Sequence, residues 1–179
     1  MIECELFTAN HILHGFVDTR DERLSDLLNN KEESSLMMTE TGIVRLLNIG
    51  GPPPAKVLDA CIEKSSILFA RPISQDMTQK SIFRRATRQI YPIAINLPRF
   101  EIQGMIHQTD RLDIERVLID RPENFIPLTN ATAIFMLNPK LTIRSSMLII
   151  NKNHIHLIAE ILPDKDSPPL TEEPQPSDQ

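Results

Sequence analysis

The sequence predicts a mainly β protein made of two tandem five-stranded barrels of bent sheet, each with one short helix. Segments of the first half recur in the second half: Leu36-Met37-Met38-Thr39 corresponds to Ile126-Pro127-Leu128-Thr129, and Leu47-Asn48 corresponds to Leu137-Asn138. The chain also has seven Phe, one Tyr and no Trp, so its core has to consist mainly of Ile, Leu, Val and Met. A β-branched and aliphatic interior favours strands.

Composition places the chain among ordinary globular proteins, with 41% hydrophobic and 24% charged residues. No apolar run approaches the roughly 20 residues that cross a bilayer, and residues 1–5 lack the basic start of a signal peptide. We therefore expect a cytoplasmic protein without a membrane partner. The two cysteines, Cys4 and Cys61, lack metal-ligand spacing and are predicted to be buried small apolar residues.

The net charge of -5 is unevenly distributed and suggests the domain boundaries. Residues 1–73 hold eleven acids and seven bases and form the predicted first repeat, whereas residues 91–162, the predicted second repeat, hold seven of each. Residues 74–90, with one acid and four bases, form a basic linker, in which residues 81–89 are either a short helix capped by Ser81 or simply part of the linker. The acidic, proline-rich tail at 163–179 is expected to be disordered.

Each half is predicted to begin with a hairpin, formed by residues 2–7 with 12–19 and by residues 93–97 with 100–108. Gly15 and Gly104 fall at matching places in the second strands, where an isolated glycine usually marks a bend. A short helix follows in each half, at 23–30 and 111–120, and Pro122 stops the second one. The remaining predictions are third strands at 36–47 and 125–137, bent near Gly42 and Ala131, and closing hairpins of 57–62 with 67–70 and 147–150 with 155–161.

Five short strands in this order resemble the Sm-like fold. The resemblance rests on residues 104–106, 125–131 and 149–155. In Sm-like proteins the corresponding parts are the glycine of the second strand, the third strand and the last hairpin, which carries RNA and neighbour contacts. This chain departs from the RNA-binding members, because its third strand has no basic cluster and its last hairpin lacks the Ile-Arg-Gly type of segment. The resemblance therefore implies the fold more strongly than it implies RNA binding.

The chain also resembles a family of uncharacterised bacterial domains that combine an Arg-Leu-Ser-Asp-x-Leu-Asn segment with a Phe-Leu-Pro-Leu-Thr-Asp-Ala type of strand. The first segment corresponds to residues 23–29, Arg-Leu-Ser-Asp-Leu-Leu-Asn, and the second to residues 125–131, Phe-Ile-Pro-Leu-Thr-Asn-Ala. The two copies together cover nearly all of residues 2–161. This resemblance implies no known activity.

Arg84, Arg85 and Arg88, joined by Lys80, form the basic cluster of the linker. They can serve as a solvated connection, dock onto an acidic partner or the acidic first half, or contact the phosphates of a nucleic acid. No aromatic residue lies between Arg84 and Arg88, and this lack of interleaving disfavours nucleic-acid binding, since single strands are usually held by stacking as well as charge.

Other polar residues give no catalytic or metal-binding pattern. His154 and His156 are predicted to share one face of the last strand, but no further ligands accompany them. Aspartate pairs near the helices are typical of caps and solvated charges, and no glycine-rich loop could bind a phosphate. The remaining candidates are His11, His14 and His107 on the second strands, and the pairs Asp18 with Asp21 and Asp110 with Asp113.

The sequence therefore favours a non-enzymatic interaction or scaffold protein that needs no cofactor or metal. It is expected to assemble through strand edges, either with a protein partner or with itself, because an open sheet leaves edges that must be paired or blocked. The alternative is an RNA- or DNA-binding module that uses Arg84, Arg85 and Arg88.

Overall fold

The computed structural model describes residues 1–20, 22–48, 55–73 and 89–162. The linker arginines Arg84, Arg85 and Arg88 lie outside these residues. The proposed linker helix and the acidic tail at 163–179 do so as well.

The described residues form ten strands, two short α-helices and three 3-10 turns. The first half contains β1 (Ile2–Thr8), β2 (His11–Val17), α1 (Leu24–Asn29), β3 (Ser35–Arg45), β4 (Ala55–Glu63) and β5 (Ile67–Pro72). The second half contains β6 (Gln89–Leu97), β7 (Phe100–Gln108), α2 (Ile114–Ile119), β8 (Phe125–Phe135), β9 (Thr142–Asn151) and β10 (Leu157–Glu160). The 3-10 turns are Leu46–Asn48, Lys64–Ser66 and Lys152–His154.

All ten strands belong to one antiparallel sheet, with the order β10-β6-β7-β8-β9-β5-β1-β2-β3-β4. The mainly β class is therefore confirmed. The two separate barrels expected from the sequence are not seen, because β5 pairs with β1 on one side and with β9 on the other, which joins the halves into a single sheet. This sheet is not closed, and β4 and β10 lie at its two edges.

The predicted closing hairpins are wrong. β4 pairs with β3, whereas β5 pairs with β1 at the other side of the first half. In the same way β9 pairs with β8 and β10 pairs with β6. In each half a 3-10 turn follows the fourth strand and leads the chain to a different neighbour. Alternating apolar residues indicate that a segment is a strand but carry no information about its partner.

The two halves use the same strand order and the same register. Ile62 of β4 lies opposite Leu36 of β3, and Ile150 of β9 lies opposite Ile126 of β8. Counted from these pairs, each residue of β4 has one corresponding residue in β9. The fourth strands of the two halves can therefore be compared position by position.

Both glycines of the second strands lie at a shift in register, between His14 and Phe16 and between Gln103 and Met105. A Cβ atom at Gly15 would lie 2.7 Å from the backbone oxygen of Thr39, and one at Gly104 would lie 3.0 Å from the Cβ of Ala131. The close approach of the third strand therefore excludes a side chain at Gly15 and leaves only a tight contact for one at Gly104.

The bends of the third strands fall slightly before the positions predicted at Gly42 and Ala131. Glu40 and Asn130 have positive φ values of 50° and 46°. Asn adopts this left-handed conformation more readily than most residues, whereas for Glu it is uncommon and depends on the surrounding strands. The geometry of the third strand is therefore shared by the halves even where the residue type is not.

The two helices are short. Three leucines of α1, Leu24, Leu27 and Leu28, are buried. Helix α2 begins three residues later than predicted because Asp113 is its N-cap and accepts a hydrogen bond from the backbone N–H of Arg116.

The hydrophobic core consists of two clusters that exchange residues between the halves. The cluster of the second half includes four residues of the first half, namely Phe7, Leu46, Leu68 and Phe69. The cluster of the first half includes Phe125 and Ile149 of the second half. Neither half therefore completes its core alone.

Candidate interaction site at the sheet edges

The pairing of β5 with β9, here called the internal junction, joins the two halves. Phe69 lies opposite Ile150, and Ala70 lies opposite Ile149. All four residues have no exposed surface. Phe69 belongs to the core cluster of the second half, and Ile149 belongs to that of the first half. At this pairing each half thus contributes one residue, Phe69 or Ile149, to the core of the other.

Aromatic packing surrounds Phe69 at the internal junction. Its ring stacks on Phe7 with a centroid distance of 4.2 Å and contacts Phe100 edge-on at 5.0 Å. Phe100 in turn packs against Phe135 at 5.2 Å. Such pairs contribute about 0.5–1.5 kcal/mol each beyond the burial of apolar area, so Phe69 occupies a well-formed pocket.

Asn29, at the C-terminal end of α1, binds the backbone of the second half at two points. Its Nδ2 donates to the carbonyl oxygen of Phe125 at 2.9 Å, and its Oδ1 accepts from the N–H of Phe125 at 2.8 Å. This residue is the last one of the Arg-Leu-Ser-Asp-Leu-Leu-Asn segment. The helix of the first half thereby fixes the start of β8.

Two further polar side chains cross the internal junction. The Nδ2 of Asn151, which is buried, donates to the carbonyl oxygen of Ile67 at 2.9 Å. The guanidinium of Arg99, in the turn between β6 and β7, donates to the carbonyl oxygen of Ala9 and to the side chain of Asn10, both at 3.0 Å. Because the acceptors are mostly backbone oxygens, these contacts hold the two halves in place and do not depend on which side chains the accepting residues carry.

In each half a lysine in the turn after the fourth strand binds backbone oxygens at the end of the helix or just after it. The Nζ of Lys64, which is buried, donates to the carbonyl oxygens of Leu27 at 2.7 Å and Asn30 at 2.9 Å. Burial lowers the pKa of Lys64, and the charge of Glu33 partly offsets this shift. In the second half the Nζ of Lys152 donates to the carbonyl oxygen of Arg121.

The outer edge of β4 carries the positions that β9 buries at the internal junction. By their pairing with the third strand, Cys61 and Ile62 of β4 correspond to Ile149 and Ile150 of β9. Cys61 is exposed, and Leu58 on the same strand is 76% exposed. Within the described part of the chain no strand pairs with this side of β4.

The outer edge of β10 is the counterpart of β5. Ala70 lies opposite Leu6, two residues after the partner of Gly15, and Ile158 lies opposite Ile95, two residues after the partner of Gly104. Ile158 therefore corresponds to Ala70, and Leu157 corresponds to Phe69. Leu157 is 51% exposed, whereas Phe69 is completely buried.

An open cleft lies beside β4. Its lining includes Thr8, His11, Leu13, Ile43, Cys61 and Ile62. His11 begins β2 as Phe100 begins β7, and Ile62 corresponds to Ile150. Phe100 and Ile150 are the residues that Phe69 contacts and pairs with at the internal junction. The cleft therefore occupies, in the first half, the place that Phe69 fills in the second.

The histidines do not form a site in the described residues. His154 lies in a 3-10 turn and His156 lies just before β10, so the prediction that both alternate on the last strand is wrong. The Nε2 of His154 is instead 2.6 Å from the carbonyl oxygen of Ser65 across the internal junction. The described residues contain no group of three potential metal ligands.

The other three histidines lie on the second strands, as predicted. His14 is 3.1 Å from a carboxylate oxygen of Glu3 and 3.7 Å from one of Glu5. The Nε2 of His107 is 2.8 Å from the hydroxyl of Thr129. His11 lines the cleft beside β4.

Of the four candidate aspartates, Asp113 caps a helix and Asp18 accepts a hydrogen bond within a turn. Asp113 caps α2 as expected, and the Oδ1 of Asp18 accepts from the N–H of Arg20 at 3.0 Å. Asp110 is exposed between β7 and α2, and Asp21 lies outside the described residues.

The two cysteines differ, and neither forms a disulfide. Cys4 is buried as predicted, and burial, together with the charges of Glu5 and Glu3, raises the pKa of its thiol to about 12. Cys61 is exposed on β4, so the prediction of burial is wrong for this residue.

Sequence reasoning did not identify Asn29, Phe69 or Arg99 as junction residues. Asn29 belongs to a recognised segment, but its partner Phe125 is 96 positions away in the chain. In the sequence, nothing distinguishes Phe69 from other apolar core residues. Only the pairing of β5 with β9 shows that these side chains connect the halves.

No known protein family, curated protein or solved structure matches this chain. In the described part of the chain, no helix has the length and apolar character needed to span a membrane.

Proposed function

We propose that this protein is a non-enzymatic interaction or scaffold protein that assembles through its strand edges. One observation carries the proposal: each outer edge exposes one residue, Cys61 on β4 and Leu157 on β10, whose counterpart at the internal junction is completely buried. An unpaired strand edge presents free backbone donors and acceptors and is a template for a further strand.

We further propose that the chain is a tandem duplication of one five-stranded unit, which resembles the Sm-like fold and the uncharacterised bacterial domain family. The strand order within each half, the equal register of the fourth strands and the register shifts at Gly15 and Gly104 support this interpretation. In this view the internal junction is a contact between two units that a covalent link has made permanent.

The β4 edge combines protective charges with exposed apolar residues. Natural edge strands are often blunted by charges or proline. β4 does carry exposed Lys56, Asp59 and Glu63, but Leu58 and Cys61 are exposed between them. The edge is therefore partly guarded and retains apolar contact positions for a partner strand.

The test of edge assembly is hydrogen exchange of the full chain at about 1 µM and about 100 µM, because association follows mass action. We expect the amides of β4 and β10 to become more protected at the higher concentration, while those of β5 and β9 are protected at both. Exchange of β4 and β10 that is fast and independent of concentration would contradict the proposal.

A nucleic-acid shift assay with a salt titration separates this function from RNA or DNA binding through Arg84, Arg85 and Arg88. Several phosphate contacts would produce a steep loss of affinity with salt. We expect no shift at physiological salt. Tight binding there that is lost when the three arginines are changed to Ser would favour the nucleic-acid function instead.

A further inference from the structure

We infer that the partner at the edges is a second copy of this chain, bound head to tail, with Leu157 of one copy filling the cleft beside β4 of the next. This inference rests on the proposed assembly through strand edges. It specifies the partner, the orientation and the residue that enters the cleft.

The internal junction supplies the template. There Phe69 of the first half and Ile149 of the second half are each buried in the core of the other half. Their counterparts at the outer edges, Leu157 and Cys61, are both exposed. Pairing β10 of one copy with β4 of the next would bury both residues in the same reciprocal way.

Both the wall of the cleft and the residue proposed to enter it differ from their counterparts at the internal junction. In the second half Phe69 packs against Phe100, whereas in the first half the corresponding wall is His11. The entering residue changes in the same comparison, from Phe69 to Leu157. An aliphatic residue of this size matches the apolar part of the lining, which Leu13, Ile43 and Ile62 provide.

The two edges differ from each other, and this difference favours head-to-tail binding. β4 corresponds to β9 and β10 corresponds to β5, so each copy carries one edge of each kind. Pairing of β4 with β4 would leave the cleft without Leu157. A contact between unlike surfaces of identical chains repeats from copy to copy, and it produces a closed ring if the rotation closes and an open fibre otherwise.

The contact between copies lacks two of the polar connections of the internal junction, those of Asn29 and Asn151. The position of Asn29 in α1 corresponds to Ile119 in α2, and the position of Asn151 corresponds to Glu63. Neither an Ile side chain nor a Glu carboxylate can donate the hydrogen bonds described above. We therefore expect a contact that is weaker than the internal junction and depends on concentration.

The register gives a direct test. The pair Ala70 and Ile149 predicts that Ile158 of one copy lies opposite Cys61 of the next, on the same face of the sheet. Ile158→Cys in the full chain should therefore cross-link on mild oxidation or with a short bis-maleimide. Cys4 does not compete, because its thiol is buried and has a raised pKa.

We expect a ladder of cross-linked species in steps of one 20.4 kDa chain, since each copy would carry one thiol at each edge. Ala159→Cys is the matched control, because adjacent strand residues point to opposite faces and position 159 should not reach Cys61. Cys61→Ser in the Ile158→Cys background should abolish the ladder.

The outcomes separate this inference from the proposed function. A dimer that forms through Cys61 alone, with no ladder, would show pairing of β4 with β4 and would overturn the head-to-tail inference while retaining edge assembly. Absence of any cross-link, together with edge amides that exchange fast at every concentration, would overturn both.

A second variant leaves the edge backbone and its cysteines unchanged. Leu157→Asp should reduce association in sedimentation velocity by at least about tenfold, because a carboxylate would be buried in the cleft beside Glu63, which is part of its lining. Leu137→Asp, at a position that is 61% exposed and away from both edges, should leave association unchanged. Equal association of the two variants would contradict insertion of Leu157.

Discussion

The internal junction and the outer edges use the same strand positions with different results. At the junction, Phe69 and Ile149 are completely buried, and Asn29 fixes the neighbouring backbone by two hydrogen bonds. At the outer edges, Leu157 and Cys61 are exposed, and Ile119 stands where Asn29 would be. Backbone pairing is available to any strand, whereas polar side chains at fixed positions select one partner. The junction is thus fixed by side chains as well as by backbone pairing, whereas Leu157 and Cys61 at the outer edges are exposed.

The largest expected difference between the regions concerns their apolar residues. Phe69→Ala should lower the free energy of unfolding by about 3–5 kcal/mol, because it leaves a cavity in the core. Leu157→Ala, at the corresponding outer position, should cost less than about 1 kcal/mol in the monomer because half of the side chain is already exposed. Urea unfolding followed by circular dichroism, at a concentration below that of association, measures both.

A small effect of Phe69→Ala on the free energy of unfolding would contradict the importance of the internal junction for stability. It would mean that the two halves are stable without their shared core. In that case two separate unfolding transitions should be visible, since each half would behave as its own cooperative unit.

Asn29 at the internal junction and Ile119 at the corresponding position of α2 should also differ in their contributions to stability. Asn29→Ala should lower the free energy of unfolding by about 1–3 kcal/mol, because it leaves the backbone N–H and carbonyl of Phe125 without their partner. Ile119→Asn, at the corresponding position of α2, should change it by no more than about 0.5 kcal/mol because Ile119 is 68% exposed. The midpoint of urea unfolding for each variant is the measurement, and equal shifts would show that the two positions are not distinct.

Lys64 provides a test that depends on pH. Lys64→Met should lower the free energy of unfolding by about 1 kcal/mol near neutral pH, since the carbonyls of Leu27 and Asn30 lose their donor. Because the folded-state pKa of Lys64 is lowered, the unfolded chain binds more protons as the pH rises from the lowered pKa toward 10.5. The wild type should therefore gain stability relative to Lys64→Met over this range.

The readout is the difference in unfolding free energy between the wild type and Lys64→Met, measured at several pH values. A difference that stays constant up to pH 10.5 would contradict a lowered pKa for Lys64. Lys152→Met is the comparison variant in the second half.

The smallest expected effect is on thiol reactivity and leaves stability unchanged. At about pH 8 a disulfide reagent should modify one thiol per folded chain, since the thiolate is the reactive form and burial keeps Cys4 protonated. The reactive thiol should be Cys61, and Cys61→Ser should remove the reaction. Slower modification of Cys61 at high protein concentration would report coverage of the β4 edge, and rapid modification of both thiols in the folded chain would contradict the burial of Cys4.

Much of the local structure is contained in the sequence. Apolar periodicity located nearly all the strands and both helices to within a few residues, because side-chain alternation and helix spacing are local properties. Gly15 and Gly104 indicated the two register shifts, since a residue without a Cβ is needed where strands approach closely.

Strand partners were decided by the tertiary structure. From the sequence, β4 and β5 were predicted to pair because they are consecutive. In the structure the turn at Lys64–Ser66 separates them, and β5 instead pairs with β1 on one side and with β9 on the other. The contact of Asn29 with Phe125 and the exposure of Cys61 follow from this arrangement. The physical reason is that backbone hydrogen bonds between strands are nearly independent of residue type, so pairing is selected by the burial of the whole sheet rather than by any short segment.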